Sequence, residues 1–134
     1  LSIWDNMYVS TASYYVLAVV LMVVFLAIFE LVTKYDDWEE IKKGNLSVAL
    51  ATGGKLIAIA IILAFSIYHN DSLWSAFVGG LFGFALQLLA YYLFEFFTPK
   101  FKVDEEIEKD NRAVGLLSFL ISISFALVIG VSIV

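Results

Sequence analysis

The sequence predicts an all-α membrane protein: a single transmembrane domain over residues 1–134, with four transmembrane helices as a tandem, parallel repeat of a two-helix hairpin and both termini outside. Three observations lead there. The composition is 62% hydrophobic and 16% charged, with a mean hydropathy of +0.93; a soluble domain is about half apolar and about a quarter charged. Small domains keep much of their surface in water, so a core cannot absorb that excess, and hydrocarbon is the remaining solvent. Four apolar runs approach the length of a bilayer core, and the two halves of the chain repeat one motif.

The first run extends from Ala12 to Thr33. Its N-terminal flank holds Asp5 and no Lys or Arg, unlike the positive start of a secretory signal, so it reads as a retained span. The second run, Leu46 to Ile67, follows the charged segment Lys34 to Lys43. A tight polar turn, Tyr68 to Ser72, leads into the third, Leu73 to Phe97, and Pro99 falls where that helix should stop. The fourth, Ala113 to Val134, follows the charged segment Lys100 to Arg112. These runs are continuously apolar and too long for barrel strands, which alternate.

Orientation follows from the cations. Lys34, Lys42, Lys43, Lys100, Lys102, Lys109 and Arg112 flank or occupy the first and third connections, while the termini and the middle turn have none. The positive-inside rule places both charged connections in the cytoplasm. Aromatic anchors agree: Trp4, Tyr8, Tyr14, Tyr15, Tyr68 and Trp74 on the outer side, Tyr35 and Trp38 on the inner.

Repeat 1 covers about 8–68 and repeat 2 about 73–134. Glu39 to Val48 aligns on Glu105 to Val114, and Phe29 to Thr33 on Phe94 to Thr98, with Asp104 standing where the first unit has Trp38. Each unit contributes an even number of spans, which makes the repeat parallel rather than inverted. Asn45 and Asn111 end the charged segments and open the next spans. As helix caps they would accept from backbone N–H groups that lipid cannot satisfy.

At this motif the chain resembles a bacterial family, domain of unknown function 350, whose members are uncharacterised transmembrane proteins carrying the unit twice. The resemblance rests on Trp38, Ile41-Lys42, Asn45 and Val48-Ala49 with their second-half echo, and on Gly79-Gly80, Gln87-Leu88-Leu89 and Pro99. It implies four spans in a bacterial cytoplasmic membrane and brings no settled activity.

Lys55 is the most informative single residue. It stands about 14 Å into its span by helical rise, near the midplane. A charged lysine there costs at least about 2.5–3.5 kcal/mol and so demands a partner, water or neutralisation. Side chains lean toward their own helix N-terminus, which brings Lys55 down and Glu30 and Glu95 up toward one depth. The candidate intramembrane network is therefore Lys55, Glu30, Glu95 and Gln87. Small residues form stripes, Ser47/Ala51/Gly54/Ala58, Gly79/Gly83 and Gly115/Ser118/Ser122/Ala126, suited to close helix packing or to a narrow polar lining. Asp36 and Glu39 suggest a capping box on a short amphipathic helix with Trp38 and Ile41 toward the membrane.

Catalytic chemistry finds no foothold. The chain has no cysteine and one histidine; His69 with Asp71 offers too few ligands for a metal. A net charge of −5 without a basic stripe argues against nucleic acid. No enzyme activity and no cofactor are expected. The expected partners are the lipid bilayer, further copies of the chain as a homo-oligomer, and a cytoplasmic protein docked on the charged loops. The first functional reading is a homo-oligomeric, non-enzymatic scaffold or anchor. The alternative is an oligomeric ion channel or small-solute transporter that uses the midplane polar residues.

Overall fold

The computed structural model describes residues 6–96 and 102–133. Trp4, Asp5, Phe97, Thr98, Pro99, Lys100 and Val134, each used above, lie outside the described residues. The described chain is all-α: α1 (Met7–Val32), α2 (Asp37–Lys42), α3 (Leu46–His69), α4 (Leu73–Phe96), α5 (Val103–Glu108) and α6 (Arg112–Ser132). By length and composition α1, α3, α4 and α6 can each cross a bilayer.

α1 begins five residues before its apolar run does. The Asn6 side chain accepts from the Tyr8 and Val9 N–H groups at 2.8 and 3.4 Å, so the cap, not the hydropathy, sets the start. At the far end of the hairpin, Ser66 Oγ donates to the Ala76 carbonyl at 2.7 Å and Asn70 Nδ2 to the Ser66 carbonyl at 2.7 Å, closing the α3–α4 turn.

α3 is the hub. It packs most extensively on α6, then on α4 and α1. The small-residue stripes explain this: a Cβ on Gly115 would lie 2.6 Å from the Ser47 Cα, and one on Gly54 2.8 Å from the Phe119 Cα. Backbones meet there because nothing but hydrogen separates them. Ser47, Ala51, Ala58 and Ala126 are fully enclosed, so the stripes serve packing along most of their length. Gly83 lets α4 approach Ile62 of α3 in the same way. α1 is fixed more loosely, through Leu21, Phe25 and Phe29 set four residues apart against Ile59, Leu63 and Phe84. Phe25 stacks on Phe84 with ring centroids at 4.2 Å.

α2 and α5 form a cap over one end of the bundle. Each ends in a Schellman turn. The Asn45 N–H donates to the Glu40 carbonyl and the Gly44 N–H to the Ile41 carbonyl. In α5 the Asn111 N–H donates to Glu106 and the Asp110 N–H to Ile107. The left-handed position belongs to Gly44 (φ 88°) in one and to Asp110 (φ 62°) in the other. Tyr35, Val48, Val103, Ile107 and Val114 fill the space beneath. Tyr35 is not an interfacial anchor but a core residue, 6% exposed, and Ile41 packs on the cap cluster, leaving Trp38 exposed alone. Tyr35 precedes α2 and folds into the cluster that Ile41 covers, as α2 turns its apolar side onto α3. Asp36 Oδ1 does cap α2, accepting from the Glu39 N–H at 3.2 Å.

Candidate functional site

Lys55 lies on the face of α3 that carries Val48, Thr52 and Ile59, turned toward α1 and the cap, and it is 2% exposed. Among the described residues its Nζ has no hydrogen-bond partner and no ion pair. The pairing expected with Glu30 and Glu95 is replaced by three rings: Nζ sits 5.0 Å from the Tyr91 centroid, 5.6 Å from Phe29 and 6.0 Å from Tyr35. A desolvated cation–π contact is worth roughly 2 kcal/mol, against an insertion cost of at least about 2.5–3.5 kcal/mol. One ring alone does not offset that cost; the two further rings and the carboxylates of the cap add to the attraction.

Four carboxylates surround Lys55 electrostatically: Asp37, Asp104, Glu95 and Glu30. The first two come from the cap. Asp37 opens α2 and is buried; its Oδ2 accepts from the Thr52 hydroxyl at 3.0 Å and its Oδ1 from the Thr33 hydroxyl at 3.3 Å. Asp104, also buried, accepts through Oδ2 from the Tyr91 hydroxyl at 2.6 Å and from the Lys34 N–H at 3.3 Å. Burial pushes the Tyr35 phenol far above its ordinary range, with the charges of Asp104 and Asp37 adding to the effect, so Tyr35 stays a donor.

The remaining predicted residues are divided among other tasks. Glu95 Oε1 accepts from the Asp104 N–H at 3.1 Å. It thereby caps α5 from a neighbouring helix, because the N-cap Lys102 makes no side-chain cap. Glu30 lines an open groove with Lys34, Asp36 and Trp38. Gln87 is buried and donates through Nε2 to the Ser122 carbonyl of α6 at 3.0 Å. Gln87 and Lys55 share a cavity of about 20 Å³ with Ser118 and Ser122. His69 stacks against Phe65 instead of meeting further ligands.

Asn45 Oδ1 accepts from the Val48 N–H at 3.0 Å and Asn111 Oδ1 from the Val114 N–H at 3.4 Å. The two are not equivalent. Asn45 Nδ2 also reaches the Glu108 carbonyl at 2.8 Å and the Ile107 carbonyl at 3.3 Å, binding one connection to the other, whereas Asn111 Nδ2 stays local on Glu106 at 2.9 Å. Asp110 completes the tie by accepting from the Ser47 N–H at 3.0 Å. That bond holds the Asp110 carboxyl below the usual range. Asn111→Ala should therefore cost about 1 kcal/mol, the value of a cap. Asn45→Ala should cost about 2 kcal/mol, since it also strands buried carbonyls of α5. Equal losses in reversible unfolding of the two variants would refute this asymmetry.

The sequence alone gives Asp37, Thr52 and Tyr91 no part in this site, and gives Tyr35 only the part of an interfacial anchor. Tyr91 had a signal: Gln87, Tyr91 and Glu95 stand four apart, a polar line on one face of a membrane helix. Asp37 and Asp104 had none, because acidic residues in a charged connection normally face water.

The family described as Domain of Unknown Function (DUF350) matches residues 2–133. The UPF0719 transmembrane protein YshE of Bacillus subtilis (strain 168) is 51% identical over 130 residues, covering 97% of each chain. The UPF0719 inner membrane protein YjfL of Escherichia coli K12 is 27% identical over 105 residues, 78% of each chain, and the protein of the same name from strain O157:H7 gives the same values. No solved structure matches. With four bilayer-length helices and a family match across nearly its whole length, the chain belongs to the Domain of Unknown Function 350 family of multi-pass membrane proteins.

Proposed function

We infer that this protein is a non-enzymatic, homo-oligomeric scaffold of the bacterial cell membrane. In this reading its cap faces the cytoplasm as a docking platform and both termini lie outside. The observation that carries it is the cap itself. Asn45, Asp110 and the paired Schellman turns lock the two connections into one body, with Asp36, Glu39, Glu105 and Glu108 exposed on it. A connection that only joined spans would not need cross-bonding of this kind. The recurrence of the same turn bonds in both connections supports reading the chain as a tandem parallel repeat. The close backbone contact of α3 with α6 leaves no room for a permeation path between them, so conduction would need an interface between copies.

The chain has no cysteine, which allows background-free labelling. In intact cells a membrane-impermeant maleimide should label Ser72→Cys at once and Glu39→Cys only after permeabilisation; the reverse pattern would overturn the sidedness. Counting photobleaching steps of labelled protein in native membranes should give a defined number above one, and a single step would refute the oligomer. Ion flux through reconstituted protein would transfer the reading to the alternative, an oligomeric channel or transporter, for which the buried charge at Lys55 is the supporting feature.

A further inference from the structure

Buried polar atoms without partners are rare, because each forfeits its hydration. Five such side-chain atoms occur among the described residues, and four gather around the lysine: Lys55 Nζ, Tyr35 OH, Gln87 Oε1 and Asp104 Oδ1. Two are donors and two are acceptors. None of the four hydrogen-bonds another, and Nζ stands against three aromatic rings instead.

We propose that the cavity between α3, α4 and α6 is a binding site for one internal water, held between Lys55 Nζ and Gln87 Oε1. Size and chemistry select the occupant. About 20 Å³ admits one water and excludes a hydrated ion or any organic solute. Lys55 offers only donors, so the occupant must accept; Gln87 Oε1 is an unmet acceptor, so it must also donate. A bare anion fails the second requirement and a second ammonium fails the first. Ser118 and Ser122 line the same space and offer hydroxyls of either sense.

The water completes a line from Lys55 on α3 through Gln87 on α4 to the Ser122 carbonyl on α6, where Gln87 Nε2 already donates at 3.0 Å. Three membrane helices are thereby joined, α3 to α4 through the water and α4 to α6 by the direct Gln87–Ser122 bond. The Lys55 amine is given a hydrogen-bond partner without an ion pair. This goes beyond the scaffold reading and holds whether or not the chain is one.

Water-edited solid-state NMR of the native chain in lipid bilayers, with ¹⁵N-labelled lysine, tests the site. The Lys55 Nζ signal is assigned by its loss in Lys55→Met or, in the native chain, by its proximity to the rings of Phe29 and Tyr91. It should receive magnetisation from water at short mixing times despite its burial. A Lys55 signal that receives none, or that exchanges it with acyl chains, overturns the proposal. Thermal denaturation provides a second arm. With the water as intermediary, Lys55→Met with Gln87→Leu should lower the melting temperature no further than the more damaging single variant. Strictly additive losses would show two unconnected residues and overturn it as well.

Discussion

Gly115→Leu is expected to be the most damaging single substitution in the bundle, destabilising it by about 3 kcal/mol or preventing assembly of α6 altogether. The Gly115 Cβ position lies 2.6 Å from the Cα, 2.8 Å from the Cβ and 2.9 Å from the carbonyl oxygen of Ser47. Two of these three atoms are backbone, so no rotamer change relieves the clash. Nor can the start of α3 move away, because Asn45 and Asp110 tie it to α5 and its connection. Overpacking a core usually costs about 1–3 kcal/mol by shifting side chains; a backbone clash at the broadest interface belongs at the top of that range. Gly53→Ala on α3 is the control. A Cβ there meets nothing within 4 Å, and the gain in helix propensity should stabilise by about 0.5–1 kcal/mol. Reversible unfolding in mixed micelles, followed by helical circular dichroism, measures both. A Gly115→Leu protein as stable as the native chain would mean that α6 and α3 do not approach in this way.

Asp104→Leu should cost about 3–5 kcal/mol, the scale of removing one side of a buried charge system. The substitution strands the Tyr91 hydroxyl and the Lys34 N–H. It also removes one of the two cap carboxylates that act on the buried Lys55. The first loss is local and the second is electrostatic, so they can be separated. Adding Lys55→Met to Asp104→Leu removes the uncompensated charge, and the double variant should lose less than the sum of the two single losses. Asp104→Asn keeps an acceptor for Tyr91 but not the charge, and should fall between native and Asp104→Leu. If the Asp104→Leu penalty is unchanged in the Lys55→Met background, Asp104 does not serve the lysine and its role is confined to the Tyr91 and Lys34 bonds.

These two expectations rest on residues of opposite legibility. Gly115 could be read in advance, since a small-residue stripe on a lipid-facing run announces close backbone approach whatever its partner. Asp104 could not. Its neighbours Glu105, Glu106 and Glu108 are exposed or half-exposed, as acidic residues of a connection ordinarily are, and only the turn of α5 onto α3 sends Asp104 inward. Helix depth alone brings Lys55 toward Glu30 and Glu95, but nothing along the chain announces that α2 and α5 also turn Asp37 and Asp104 toward it. Nor does anything there announce that Glu95 is engaged at the N-terminus of α5.

What the sequence determined alone was everything that depends on solvent and on neighbours along the chain. Runs of apolar residues must become helices because hydrocarbon offers no partner to a free peptide group. Asn45 and Asn111 become caps because the orphan N–H groups lie two or three residues ahead of them. What only the tertiary structure decided was the environment of Lys55: three rings and two aspartates drawn from segments far apart in sequence. Such a site depends on the rotation of each helix about its axis and on the folding back of two short connections. Those are settled by side-chain packing between elements, a quantity that no local pattern of residues carries.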